Sequence, residues 1–421
     1  RLVERDWNGP VRVLGGAGTG KTVVAMHRAR WLVRHRLKPG EKLLFTTFTR
    51  NLAMDIEANL RKICSPQEMK QIEVTNINAW LHRYLKRETY PARIVYPGSD
   101  EFERCWDSGM QLASGELDLP DTFYRDEWLR VILSNRVSSQ REYFKVSRVG
   151  RGQPLTRKQR ALIWPVFEEV RFELHQKGFT TDVDAAYWAL EHLASAGNAK
   201  PFAAAVVDEA QDLGEEVLRL LRELVPEGPN DLMLVGDGHQ RIYGRRASFG
   251  QCGINIRGRG RKLRINYRTT EQIRRFATAV LENQPFDDMD EGDDSTSGYR
   301  SLVNGLAPTL KGFSNDQDEA EWVVAEIQRL QNESWRLQDI CIVGRTGIQL
   351  KVVEQALKAA GLDSYAVSRE RAENTEVPGV RLANMFRIKG LEFKVVFIVG
   401  ASEGVLPLAR AMNSASDPIE R

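Results

Sequence analysis

Cysteine is scarce in this 421-residue chain, and the four present, Cys64, Cys105, Cys252 and Cys341, stand far apart. No two have the close spacing of a zinc site or the density of a disulfide framework, so they read as packing residues. Long apolar runs are missing as well, and no stretch approaches the roughly 20 residues needed to cross a bilayer. The opening residues, RLVERDWNGP, have neither the apolar centre nor the cleavage site of a secretory leader, which makes the cytoplasm the expected location. Net charge is slight. At +3 it neither marks nor excludes a polyanionic partner, because an average says little when opposite charges are segregated along a chain.

They are segregated here. Residues 257–264 (RGRGRKLR) carry Arg257, Arg259, Arg261, Lys262 and Arg264, whereas residues 287–294 (DDMDEGDD) are almost wholly acidic. The basic run fits either a solvated loop or a polyanion contact, and the acidic run favours a flexible linker. With 42% hydrophobic and 28% charged residues and a mean hydropathy of −0.41, the chain reads as globular, and its length suggests about two to four domains.

The most informative stretch is GGAGTGKT, Gly15 to Thr22, preceded by the apolar VRVL and followed by a helical pattern. It fits G-x-x-x-x-G-K-[ST] in the strand, loop and helix context that the motif needs. Gly15, Gly18 and Gly20 let the backbone turn so that successive N–H groups form a concave anion site. Lys21 is then expected to reach the β- and γ-phosphates and Thr22 to ligate Mg²⁺, which implies a nucleoside triphosphatase.

Further along, KLLFTT (residues 42–47) reads as a buried strand with Phe48, Thr49 and Arg50 at its carboxyl end. That edge is where open α/β sheets bind ligands, and an aromatic beside hydroxyls and an arginine suits a single nucleic-acid strand. An ordinary core role for Phe48 fits the composition equally well. Residues 86–184 change texture, with many aromatics at helical spacing, and imply a helical insertion with its own core. The basic piece within it, residues 148–160, suits either an exposed loop or a phosphate contact.

AAAVVDEAQD (residues 203–212) returns to a buried strand ending in acids. Asp208 at its tip is placed to hold Mg²⁺ through water, and Glu209 to accept a proton from the attacking water. After the strand DLMLVG, Gln240 offers an amide to orient water or sense the γ-phosphate, while Tyr243 offers a stacking face beside Arg245 and Arg246. In KLRINYR, Tyr267 is suited to stack on a base and Arg268 to meet phosphates. Taken singly, each of these residues also suits a surface turn or a cap. Beyond the acidic run a second α/β unit is expected, with TLKGF (residues 309–313) as its first strand and alternating helices and strands that imply a parallel sheet.

The ordered set GGAGTGKT, TTFTRN, VVDEAQD, GDGHQRIYGRR, NYR and KGLEF resembles the superfamily 1 helicases of the UvrD/Rep-like branch over nearly the whole chain. The resemblance implies an α/β protein of the P-loop NTPase type. It would have two RecA-like parallel-sheet domains, with ATP and Mg²⁺ between them and single-stranded or tailed duplex DNA as partner. The implied layout is a first RecA-like domain in residues 1–85 and 185–284, interrupted by the helical insertion, then an acidic linker at 285–300. An incomplete second RecA-like domain follows at 301–421. The resemblance makes Gln240 a γ-phosphate sensor, Tyr267 the adenine-stacking ring and Arg268 a γ-phosphate ligand. Phe48, Thr49, Arg50, Tyr243, Arg245, Arg246 and Phe386 fall on positions that face DNA, and Gly390 and Glu392 on the second domain's share of the ATP cleft. It further implies ATP-driven 3′ to 5′ translocation or unwinding.

Departures from the family pattern are specific. Arg245 stands where relatives commonly carry a base-stacking tryptophan, and Phe386 where they carry histidine. No adenine-reading glutamine precedes Gly15, no final arginine follows, and only a short stretch separates Ser368 from Pro378 where relatives hold a large insertion. A fragment of a longer protein is therefore expected. These departures also motivate a second reading, a nucleotide-gated binding module that hydrolyses ATP without unwinding. RNA stays open as a partner, because stacking platforms and basic grooves discriminate poorly between the sugars.

Overall fold

The computed structural model describes residues 2–148, 154–195, 197, 200–241, 247–281, 286–290, 292–295, 297–367 and 376–407. Internal contacts divide the described residues into two units, one formed by residues 2–49 and 56–308, the other by residues 50–55 and 309–407. Both are α/β and contain parallel sheets of RecA-like type. Among the described residues no helix is long and apolar enough to cross a membrane. All four cysteines are buried and free.

From its start the chain runs through strand β1 (Val11–Gly15), helix α1 (Lys21–His35), β2 (Leu43–Thr47), α2 (Arg50–Ile63), the single turn α3 (Pro66–Met69), β3 (Ile72–Asn76) and α4 (Ile77–Arg87). A helical stretch follows, with α5 (Asp100–Met110), α6 (Asp121–Glu127), α7 (Gln140–Tyr143), α8 (Arg157–Gln176) and α9 (Asp182–Ser195). The short parallel pair β4 (Arg93–Ile94) and β5 (Phe179–Thr180) ties its ends together. The chain then returns through β6 (Ala204–Val207), α10 (Glu215–Leu224), β7 (Leu232–Gly236), β8 (Gly260–Leu263), β9 (Ile265–Thr270) and α11 (Glu271–Ala279).

Six strands form one sheet in the order β3-β2-β6-β7-β1-β8, with every pair parallel. Strands β2, β6 and β7 are buried at every position. Their unbroken apolar runs suit a parallel sheet covered on both faces. Because all strands run the same way, Gly15, Thr47, Val207 and Gly236 end on one edge, the edge at which open α/β sheets bind ligands.

Two buried clusters of this unit share a helix. One joins the sheet to α4, α9 and α10, and the other is the aromatic interior of the helical stretch, built on Trp106, Tyr124, Tyr143 and Phe167 among others. Helix α9 contributes to both, giving Ala185, Ala186 and Ala189 to the first and Val183 and Tyr187 to the second. The expected cut between residues 184 and 185 thus passes through a helix.

Three other expectations are corrected. The described residues within 285–300 are not an open tether: β10 (Phe286–Asp287) and β11 (Asp293–Asp294) pair antiparallel, and Met289 is buried in the first core. Asp288 explains how so acidic a run can dock, since it pairs with Arg12 at 2.8 Å and accepts the backbone N–H groups of Asp290 and Gly292 at 3.0 and 2.9 Å. Second, residues 309–313 form no strand. The strand near this boundary is β12 (Arg300–Val303), which pairs with β9 and keeps the first unit running to Pro308, against an expected end at residue 284 and a second domain from 301. Third, Arg148, a candidate phosphate contact, is 5% exposed and its guanidinium binds the fully buried Glu127 at 2.6 Å. Residues 149–153 of that basic piece lie outside the described residues.

The second unit comprises α12 (Asp316–Asn332), β13 (Ile340–Gly344), α13 (Gly347–Ala359), β14 (Ser364–Ala366), β15 (Val380–Asn384) and β16 (Val395–Val399). Its four strands are parallel in the order β14-β15-β13-β16, and α12 and α13 pack on the sheet through Val323, Ile327, Val353 and Leu357.

Candidate nucleotide site and nucleic-acid contacts

The glycine loop joins β1 to α1 at the ligand-binding edge of the first sheet. Gly18 and Gly20 have φ of 71° and 79°, a region that costs most L-residues dearly. A side chain on Gly15 would strike Thr19 Oγ1 and come within 3.2 Å of Lys21 Cγ. Helix α1 begins with Gly20 as its N-cap, has no side-chain cap and carries no acid in its first turn. Its first N–H groups and the positive end of its dipole are therefore left for an anion.

Lys21 is only 8% exposed, and its Nζ donates to the Gly16 carbonyl at 3.0 Å, which curls the loop around the ammonium. Thr19 Oγ1 donates to the same carbonyl at 2.8 Å. The neighbouring Thr22 Oγ1 donates to Asp208 Oδ2 at 2.7 Å, so residues far apart in sequence meet where β6 ends beside α1. Asp208 is fully buried. Burial, and then the nearby Glu209 carboxylate, push its pKa up, against the Thr22 hydrogen bond and the Lys21 charge. A buried carboxylate held by one hydroxyl and raised by its surroundings is a group whose charge a divalent cation would stabilise. The donor set, an uncapped helix start with a lysine, a hydroxyl and a carboxylate, fits a nucleoside triphosphate with Mg²⁺.

Glu209 follows in a left-handed conformation, φ 54°, with its N–H donating to Asp208 Oδ1 at 3.0 Å. Gln240 lies on the one-turn helix Gly238–Gln240 after β7, and its N–H reaches the Asp237 carbonyl at 3.1 Å. The loop also touches β9. Tyr267 N–H donates to the Gly18 carbonyl at 2.9 Å, while the Tyr267 side chain stays 62% exposed and Arg268 beside it is also exposed. Beneath them the buried Asn266 accepts the Arg268 and Thr269 N–H groups at 2.8 and 3.1 Å.

The structure thus gathers Gly15, Gly18, Gly20, Lys21, Thr22, Asp208 and Glu209 around one loop, with the backbone of Tyr267 hydrogen-bonded to it. Gly390 and Glu392 belong to the second unit, where Gly390 has φ 84° in the turn after β15. Phe386 is in the same unit, half-exposed, with the Arg345 guanidinium 5.0 Å above its ring. Phe48 is partly buried against the first core, Thr49 is half-buried and Arg50 is exposed at the start of α2. Tyr243, Arg245 and Arg246 lie outside the described residues.

Two further residues of these motifs act at the site, Gln211 of VVDEAQD and Asn266 of NYR, which sequence reasoning alone leaves without a role. Both are buried amides that lock turns at this edge. The signal for Asn266 was local: an asparagine two residues before an arginine at a strand's start is suited to an Asx turn.

A glycine phosphate loop on a parallel sheet, with a hydroxyl and a buried carboxylate meeting beside it, defines a P-loop NTPase fold of RecA type. Comparison with known proteins specifies it further. An AAA domain family model matches residues 6–246, and a UvrD-like helicase C-terminal domain model matches residues 261–371. The chain belongs to the UvrD-like superfamily 1 helicases. Among its relatives is the ATP-dependent DNA helicase PcrA of Leuconostoc citreum, 23% identical over 370 residues, which cover 84% of this chain and 47% of the relative. The PcrA of Bacillus subtilis is 26% identical, covering 85% and 48%. The ATP-dependent DNA helicase UvrD2 of Mycobacterium tuberculosis is 25% identical, covering 98% and 73%. The chain spans about half the length of the PcrA relatives.

Proposed function

We propose that this chain is the ATP-hydrolysing core of a DNA translocase or helicase that moves 3′ to 5′ on single-stranded DNA. The observation that carries the reading is the Thr22–Asp208 hydrogen bond beside an uncapped helix N-terminus. Lys21 and the loop N–H groups hold the β- and γ-phosphates. Mg²⁺, held by Thr22 and through water by Asp208, would neutralise phosphate charge. Glu209 accepts the proton of the attacking water, and Gln240 and Arg268 sense the γ-phosphate. The exposed ring of Tyr267, whose N–H binds the phosphate loop, stacks on adenine. Gly390 and Glu392 supply the second domain's part of the cycle, in which binding and hydrolysis alternately close and release the two domains. Phe48, Thr49, Arg50, Tyr243, Arg245, Arg246 and Phe386 contact the DNA strand.

DNA-stimulated ATPase activity abolished by Lys21→Ala tests the reading, and equal turnover with and without single strands would refute it. One observation favours a second reading, a nucleotide-gated module that hydrolyses without unwinding. Phe386 engages Arg345 and offers no polar group where relatives carry histidine. Strand displacement on tailed duplexes of either polarity separates the two, and the same assay on RNA strands settles the sugar.

A further inference from the structure

Gln211 lies between the acids of the β6 tip and the turn after β7, and it is 2% exposed. Its Oε1 accepts the Asp237 N–H at 3.0 Å, its Nε2 donates to Glu209 Oε2, and its main-chain carbonyl accepts Arg241 Nε at 3.3 Å. A backbone N–H can only donate, so the amide end facing Asp237 must be the carbonyl and the NH₂ must face Glu209. The approach of β7 is close: a side chain on Gly236 would come within 2.6 Å of Gln211 Oε1. Glu209 is itself held in a left-handed conformation that a glutamate adopts at some cost, the kind of local strain that persists where its surroundings over-determine it.

We propose that Gln211 is a positioning residue for Glu209, fixing that carboxylate's orientation and coupling it to the Asp237–Arg241 turn that also carries Gln240. The inference rests on the reading of Glu209 as the group that takes the water proton. A carboxylate left to rotate would sample orientations unsuited to that transfer, whereas a buried N–H donor pins one of its oxygens. Because the other end of the amide is anchored on the β7 turn, a shift of that turn would turn the glutamate as well.

Two variants test it. Gln211→Met keeps the length and removes both side-chain hydrogen bonds, and Gln211→Glu keeps the acceptor for Asp237 N–H but sets a carboxylate against Glu209. Each is expected to lower DNA-stimulated kcat by about 10- to 100-fold, on the scale of a misplaced catalytic group. KM for ATP and the affinity for a fluorescent ADP analogue should change less than about twofold, which also shows that the site is folded. In a Glu209→Gln background, single-turnover hydrolysis should fall no further when Gln211→Met is added, because the amide then has no carboxylate to aim. Retention of kcat by both variants, or an undiminished loss in the Glu209→Gln background, overturns the inference while wild-type turnover keeps the reading of the site. A wild-type protein that hydrolyses no ATP removes both.

Discussion

Gly18 and Gly20 share a backbone conformation but not their surroundings, so they separate two costs that glycine loops usually combine. A methyl on Gly20, at φ 79°, would meet nothing within 4 Å. Gly20→Ala should therefore cost only the left-handed penalty, about 1–2 kcal/mol. A methyl on Gly18, at φ 71°, would overlap Asn266 Oδ1 and lie 2.8 Å from Arg268 Cβ. Gly18→Ala should add about 1–3 kcal/mol of overpacking, spent in pushing the loop away from β9. The contact that breaks first is Tyr267 N–H to the Gly18 carbonyl, 2.9 Å long. Hydrogen exchange at the Tyr267 amide reads it directly. It should quicken by roughly 5- to 150-fold in Gly18→Ala relative to Gly20→Ala, since about 1–3 kcal/mol corresponds to that range at about tenfold per 1.4 kcal/mol. Adding Asn266→Ala to Gly18→Ala should recover part of the protection, although Asn266→Ala alone lowers it by freeing the Arg268 and Thr269 N–H groups. Equal exchange in the two glycine variants, or strictly additive effects of Gly18→Ala and Asn266→Ala, would refute the reasoning.

Other expectations concern the helical stretch and the acidic hairpin. Glu127, fully buried, accepts from Arg148 at 2.6 and 2.7 Å and from Tyr143 at 2.8 Å. Arg148→Met should therefore destabilise this stretch, by up to about 3–5 kcal/mol, by taking a charged partner away from a buried carboxylate. Replacing Arg148 and Glu127 together by apolar residues should restore much of that loss in a denaturant titration. Asp288 has its pKa held below the ordinary carboxylate value, because the backbone N–H of Gly292 and the Arg12 guanidinium outweigh its burial. A depressed carboxylate stabilises above its unfolded pKa, about 3.9, and loses that contribution as pH falls through the folded value. Asp288→Asn should accordingly unfold over a flatter acid limb than wild type, with the two curves converging at the lowest pH; parallel curves would contradict the assignment.

Much of the site was legible because its chemistry is written locally. The phosphate loop needs glycine, lysine and threonine at fixed offsets, and the acids of β6 sit directly after a four-residue apolar run. Strands buried on both faces announced themselves as runs of valine, leucine and alanine. What no local pattern carries is pairing between distant segments. TLKGF had the look of a strand, yet Leu310 is 85% exposed and no neighbouring strand lies beside it among the described residues. DDMDEGDD looked unfoldable by charge alone, and what reverses that comes from elsewhere in the chain, Arg12 on the interior strand β1 and the buried cluster that takes Met289. Gln211 stayed silent because an amide between two turns gains its meaning from what it bridges.

Helix α9 has a consequence for how the molecule comes apart. One side of it lies against the sheet's interior and the other against the aromatic interior of the helices, within fourteen residues. Neither interior can open without baring part of this common wall. Denaturation of the first unit should hence appear as a single event by both tryptophan fluorescence and far-ultraviolet dichroism. Excising the helical stretch at its sequence-defined borders would leave a splintered surface rather than a clean remnant.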